Sequence, residues 1–253
     1  MKEIITLILF VCITGCCDEP IFLKTGFTKE TKSVIDITLR INNDSINNRI
    51  IDTVSITEKY YNEKNKIISR IQQTLFDNGR MEIDYLYSES NRLQKEIIKL
   101  HFDTSTVDYV YQDTMIYKAS THTIKSDFEF RQITNYKYSK ANLLSEIAMS
   151  QLYVDKESGD TSLNSLIVDT YNKKERIEKS LTINYLDTTK NKMSLFNYKC
   201  GRLTGINEYN SKDSLTLKTK LKYIYDSDGN WIERKTINNG DLKYIVKRQI
   251  EYR

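Results

Sequence analysis

From Ile35 to the end of the chain, apolar and polar residues alternate with a period of two, and no other feature constrains the fold as strongly. Ile35, Ile37, Leu39 and Ile41 interleave with Asp36, Thr38 and Arg40, and Met81, Ile83, Tyr85 and Tyr87 interleave with Arg80, Glu82, Asp84 and Leu86. The same rhythm runs through Leu215, Leu217, Leu221, Tyr223 and Tyr225, and through Tyr244, Val246, Ile250 and Tyr252. As helices these stretches would put Lys218 and Lys222 on the face of Leu215, so the pattern predicts strands. One face of each strand is dry and the other wet, the mark of an antiparallel sheet. The single proline is Pro20, so nothing in the body interrupts a hydrogen-bond ladder. The sheet edges must therefore be covered by charge or by closure.

Turn residues separate the strands. Asp77-Asn78-Gly79, Asp228-Gly229-Asn230 and Asn238-Asn239-Gly240 supply the positive φ values of tight hairpins, and Glu157-Ser158-Gly159-Asp160 and Cys200-Gly201 are looser versions. The expected fold is all-β, an extended and curved antiparallel meander of successive hairpins over residues 31–253, rolling toward a half-barrel. Tyr61, Tyr87, Tyr138, Tyr171 and Tyr225 are each followed six residues later by Ile67, Leu93, Leu144, Ile177 and Trp231, and Tyr198 by Leu203 at a shorter interval. Each Tyr should end one strand and its apolar partner open the next, so that the two face each other across the hairpin.

The segment Tyr223-Ile224-Tyr225-Asp226-Ser227-Asp228-Gly229-Asn230-Trp231, with Gly240 and the ending Lys247-Arg248-Gln249-Ile250-Glu251-Tyr252, resembles the YD or RHS-type repeat and the ends of many Bacteroidetes lipoproteins. Upstream the Tyr-Asp pair degenerates to Tyr-Asn, Tyr-Ser or Tyr-Lys. The resemblance implies a hairpin repeat and a curved sheet, and no activity; the chain is far too short for the cargo-enclosing shell of full RHS proteins.

The N-terminal region reads as an address. Met1-Lys2-Glu3 precedes an apolar run from Ile4 to Ile13, then Thr14-Gly15-Cys16, which describes a secretory signal too short to remain as a membrane span. Ile13-Thr14-Gly15-Cys16 resembles a bacterial lipobox, which implies removal of residues 1–15 and lipidation of Cys16 at the head of a tether over residues 16–30. Asp18 and Glu19 are similar to the acidic export signals of Bacteroidetes surface lipoproteins. Cys12 leaves with the signal and Cys16 with lipid, so Cys17 and Cys200 remain; a bridge between them is permitted but not implied. The expected location is the cell envelope, anchored to the outer membrane, with surface display a further reading.

Composition removes several classes. An apolar fraction of 39% with a net charge of +4 lies outside the signature of disorder. The 38 Lys and Arg are interleaved with 34 Asp and Glu instead of forming a basic stripe, so no nucleic-acid partner is expected. His101 and His122 are the only histidines and leave no third ligand for a metal. Asp226-Ser227-Asp228-Gly229-Asn230 has Gly229 fourth and Ile237 twelfth, which does not fit a calcium loop. No nucleophile, base and orienter can be named, so neither an enzyme nor a cofactor is expected. Asp44-Ser45-Ile46, Asp52-Thr53-Val54, Asp113-Thr114-Met115, Asp187-Thr188-Thr189 and Asp213-Ser214-Leu215 resemble a Bacteroidetes O-glycosylation signal.

The aromatics remain. Tyr111, Tyr136, Tyr138, Tyr223, Tyr225 and Trp231 are the candidate partner-binding residues, because a Tyr- and Trp-lined curved sheet stacks on sugars or anchors a protein. The competing reading has them packing the sheet's own buried face. The expected function is a lipid-anchored, non-catalytic binding or structural module for a protein or glycan. The alternative is an immunity or protective lipoprotein that neutralises an envelope-delivered toxin.

Overall fold

In a computed structural model of the chain, the described residues are 29–43, 49–75, 78–100, 104–124, 129–155 and 158–253. The expected signal, Cys16 and Cys17 lie outside them. Sixteen strands follow in order: β1 (Thr31–Asn43), β2 (Arg49–Tyr61), β3 (Ile67–Thr74), β4 (Arg80–Tyr87), β5 (Leu93–Lys99), β6 (Thr104–Gln112), β7 (Met115–Ile124) and β8 (Glu129–Tyr138) form the first half. The second half is β9 (Leu144–Val154), β10 (Thr161–Tyr171), β11 (Ile177–Asn184), β12 (Lys192–Lys199), β13 (Arg202–Asn210), β14 (Leu215–Tyr225), β15 (Trp231–Asn238) and β16 (Asp241–Tyr252). The only helix among the described residues is a 3-10 turn, Thr188–Lys190, between β11 and β12.

Every strand pairs antiparallel with its neighbours in sequence, and β1 also pairs with β16 along Thr31–Arg40. The antiparallel meander read from the alternation is what forms, and it rolls past a half-barrel to full closure. Closure leaves no edge strand, which answers the need posed by a prolineless body.

Burial alternates along the strands. In β14, Thr219 and Leu221 are buried while Lys218, Lys220 and Lys222 are exposed; in β6, Ser105 and Val107 are buried while Asp108 and Val110 are exposed. Register carries one inward-facing row from strand to strand, as in Tyr85, Glu96, Val107, Thr121, Gln132, Gln151 and Ser165, of which Val107 and Ser165 are buried. This row lies on the concave face and lines the lumen. The other face forms the outer wall and carries charge on many strands, including Lys99 paired with Asp84 (2.7 Å) and Lys137 paired with Glu146 (2.6 Å). A barrel that crosses a bilayer by its wall needs an apolar outer band about 25 Å tall. Lys218, Lys220, Glu82 and Asp108 interrupt any such band here.

The turns explain the Tyr-Asp, Tyr-Asn and Tyr-Ser dipeptides. The residue after each of Tyr61, Tyr87, Tyr138, Tyr171 and Tyr225 folds its side-chain oxygen back over the turn. Asn62 Oδ1 accepts from the Lys64 and Lys66 N–H groups (3.0 Å each), Asn172 Oδ1 from Lys174 and Arg176 (2.9 and 3.2 Å), and Asp226 Oδ1 from Asp228 and Asn230 (3.0 and 2.8 Å). Ser88 and Ser139 do the same through Oγ, to Arg92 and Leu143. A short polar side chain thus replaces the missing ladder partners of the turn. Asn65, Asn91, Asn142 and Glu175 complete these loops at φ values of 53° to 63°, positions that the sequence pattern did not reveal.

Candidate functional site in the barrel lumen

All seven turns after even-numbered strands from β2 to β14 open at one mouth, and β16 ends there beside the start of β1. Each of these eight strands places a tyrosine on the lumen face at this mouth: Tyr61, Tyr87, Tyr111, Tyr138, Tyr171, Tyr198, Tyr225 and Tyr252. The pairs expected across the hairpins are register partners: Tyr61 with Ile67, Tyr87 with Leu93, Tyr138 with Leu144, Tyr171 with Ile177, Tyr198 with Leu203 and Tyr225 with Trp231. Tyr111 with Ile116 is a further member that the six-residue spacing missed.

Neighbouring hairpins are latched through this ring. The Tyr87 hydroxyl donates to the Ile67 carbonyl (2.8 Å), Tyr111 to Leu93 (2.8 Å) and Tyr138 to Ile116 (3.0 Å), so each tyrosine grips the opening residue of the preceding hairpin. A cation one residue before that opener covers the ring. Lys66 lies over Tyr87, Arg92 over Tyr111, Arg176 over Tyr198 and Arg202 over Tyr225, the last at 3.9 Å from the centroid. At the seam, Asn230 Nδ2 donates to the Tyr252 hydroxyl (2.6 Å), and Lys29 lies over that ring.

The seam holds the densest charge. The Arg248 guanidinium donates through Nε and a terminal nitrogen to the two Asp36 oxygens (2.7 and 2.8 Å), and Lys59 reaches Asp36 Oδ2 at 3.2 Å. Burial alone would raise the Asp36 carboxyl, but the hydrogen bonds and charge of Arg248, joined by Lys59, hold it below its ordinary value. The same Arg248 stacks on Trp231, 3.4 Å from its centroid, and Tyr223 meets Trp231 edge-on.

The six candidate aromatics therefore share one lumen face but divide in role. Tyr111, Tyr138, Tyr225 and Trp231 belong to the mouth, where cations or backbone carbonyls already engage them. Tyr136 and Tyr223 sit one tier deeper. In that tier Tyr85, Tyr109 and Tyr136, from β4, β6 and β8, surround Glu96 of β5, and the Tyr109 hydroxyl donates to Glu96 Oε1 at 2.6 Å. Burial, then the bond to Glu96 and its charge, push the Tyr109 phenol far above its usual range. Burial, then Glu96, raise Tyr85 and Tyr136 as well. These hydroxyls stay protonated, and that of Tyr109 donates to Glu96. Arg70 Nε and Asp169 Oδ1, on the same lumen face, are buried without a protein partner. Sequence reasoning missed Glu96 and Tyr85 because nothing local marks which of the alternating residues converge across a barrel.

The other expectations fall elsewhere. His101 lies outside the described residues, and His122 lies in β7. Among the described residues, no group of three or more His, Cys, Asp and Glu could hold a metal ion. Cys200 takes the left-handed first position of its turn (φ 48°). Asp187-Thr188-Thr189 caps the 3-10 turn, with Asp187 Oδ1 accepting from Thr189 N at 3.1 Å.

The fold and its lumen define a closed sixteen-stranded antiparallel barrel with a polar, aromatic interior. It is similar to a porin-like protein from Bacteroides vulgatus ATCC 8482 (TM-score 0.52, 11% identity, 89% of this chain and 99% of that one). It is also similar to a porin-like protein from Bacteroides uniformis ATCC 8492 (TM-score 0.54, 12% identity, 87% and 96%). Identity at this level shows a shared fold alone. No protein-family model matches the sequence, and neither does any curated protein.

Proposed function

We propose that the protein is a non-catalytic binding module of the cell envelope, held at the outer membrane by lipid on Cys16 and receiving a saccharide in its lumen. The observation that carries the reading is the tier of Tyr85, Tyr109 and Tyr136 around Glu96. Flat aromatic faces stack on sugar rings, and a carboxylate among protonated hydroxyls, with the amides of Gln132 and Gln151 further along the row of Tyr85 and Glu96, offers acceptors and donors to sugar hydroxyls. The orphaned Arg70 Nε and Asp169 Oδ1 add polar atoms that a ligand would satisfy. The mouth tyrosines serve the scaffold, with the repeat resembling YD hairpins supplying the ring.

Titration of a glycan library by array and calorimetry tests this. Tyr136→Ala and Glu96→Gln should each weaken binding about tenfold or more while leaving the melting temperature nearly unchanged. Capture of an envelope protein with no saccharide bound, unaffected by either substitution, would overturn the glycan reading. The anchor is tested separately: Cys16→Ala should abolish acyl labelling and membrane retention, and equal labelling in both forms would refute it.

A further inference from the structure

We infer that the tyrosine-ringed mouth docks face-down on an anionic lipid surface, which closes that end of the lumen and leaves the far mouth as the ligand entrance. Three independent features meet at this mouth. The first is an apolar arc on the outer wall. Ile68, Leu86, Val110, Tyr117, Ile224 and Ile232 all project outward within a residue or two of the mouth turns and are between 37% and 54% exposed. They occupy β14, β15 and the run from β3 to β7. Between these two stretches the outer wall of β16 and β1 is bridged by the Lys32–Glu251 ion pair.

The second feature is charge. On the half of the mouth that lacks the apolar arc, the turns between β8 and β13 carry Lys140, Lys173, Lys174 and Arg176 against the single carboxylate of Glu175, and Lys199 and Arg202 flank the Cys200-Gly201 turn. One side of the mouth is thus apolar and the other basic. A surface that offers both an apolar interior and anionic headgroups complements the two together, as it does for interfacial helices. The far mouth exposes apolar residues too, among them Ile50, Ile51, Leu75, Leu100, Leu186 and Leu215, so it is charge that separates the two: its described turns have no basic excess, with Asp155 and Asp160 at one and Lys212 beside Asp213 at another.

The third feature is where the chain enters. Lys29 is tied to this mouth by its contact with Asp228 (2.8 Å) and its position over Tyr252, so the preceding 28 residues join the barrel here. The thirteen residues from Cys16 to Lys29 span at most about 45 Å when fully extended. For its orientation the inference rests on the lipid-anchor reading above. A tether leaving the basic and apolar mouth favours that mouth at the bilayer.

Trp231 is the chain's only tryptophan and opens β15 at this mouth, next to Ile232. The test reconstitutes the full lipidated protein in vesicles of phosphatidylcholine with phosphatidylglycerol and with lipids spin-labelled near the headgroup. Trp231 emission should be quenched, and a Trp placed by Leu215→Trp in a Trp231→Phe background should not. The triple change Leu86→Asp, Val110→Asp and Ile224→Asp should leave the protein anchored but relieve the quenching. Without the anchor, Cys16→Ala protein should still bind anionic vesicles, and the triple change should weaken that binding more than about tenfold. Anchored protein with unquenched Trp231, or quenching at Leu215→Trp instead, would overturn the orientation and leave the anchor intact. Loss of acyl labelling with quenching retained would overturn the anchor alone.

Discussion

At the scale of single residues, the seam depends on Asp36. Two cations face one carboxylate whose side chain is only 12% exposed, so removing the carboxylate strands a nearly buried Arg248. Asp36→Ala should cost about 3–5 kcal/mol in urea denaturation. The folded carboxyl titrates below its ordinary value of 3.8, so its contribution is fully present above the ordinary carboxylate range and disappears as pH falls through the folded value. Stability of the parent should therefore have an acid limb that is shallower in Asp36→Asn; superimposable pH profiles would show that the pair contributes nothing. Trp231 is the second test. It is half-buried and carries the Arg248 stack, so Trp231→Ala should cost about 2–4 kcal/mol. A double-mutant cycle with Arg248→Ala should show coupling of about 0.5–2 kcal/mol. An unchanged melt would return Trp231 to the role of an exposed binding residue.

At the scale of the element, each hairpin is held to the previous one by a ladder and a latch. Tyr87→Phe, Tyr111→Phe and Tyr138→Phe keep the ring in the mouth but leave the carbonyls of Ile67, Leu93 and Ile116 without a side-chain donor. Each change should cost about 0.5–1.5 kcal/mol by denaturant titration with unchanged slope, and no loss would mean that water replaces the hydroxyl at no cost. This unit was legible in the sequence to an unusual depth, because a hairpin is a local object. The spacing from Tyr to apolar opener reported the cross-strand pair, and the short polar residue after the Tyr reported the turn. A cation before the opener, as in Lys66-Ile67, Arg92-Leu93, Arg176-Ile177 and Arg202-Leu203, was present as a signal but takes meaning only from the next hairpin's tyrosine. The lumen tier was not legible, since period-two alternation names two faces without saying which curls inward. Nor was closure: Asp36 and Arg248 are 212 residues apart, and nothing local announces that the first strand pairs with the last.

At the scale of the whole molecule, closure makes β16 the keystone, because it completes ladders to both β15 and β1. The backbone N–H of Arg253 also donates to the Glu30 carbonyl at 3.1 Å, and its side chain donates to the Tyr61 carbonyl, so the chain end ties β1 and β2 together. A chain ending at Asn239 loses β16 and with it the Arg248 partner of Asp36 and the stack on Trp231. It also exposes two long edges, β1 and β15, in a sheet with no proline to blunt them. Such an edge pairs with its copy in another molecule, so the truncated protein should aggregate and lose its sharp denaturation transition, instead of merely melting a few degrees lower. The converse change should be harmless. With Arg253 hydrogen-bonded to Glu30, a short Gly-Ser linker from residue 253 to residue 29, with new termini opened at Asn239-Gly240, preserves all sixteen ladders. The permutant should give the same far-ultraviolet circular dichroism and one cooperative transition in urea. A monomeric, cooperatively folding truncation at Asn239 would show that the sheet is stable as an open half-roll, and the seam would then be a later addition to a fold that does not need it.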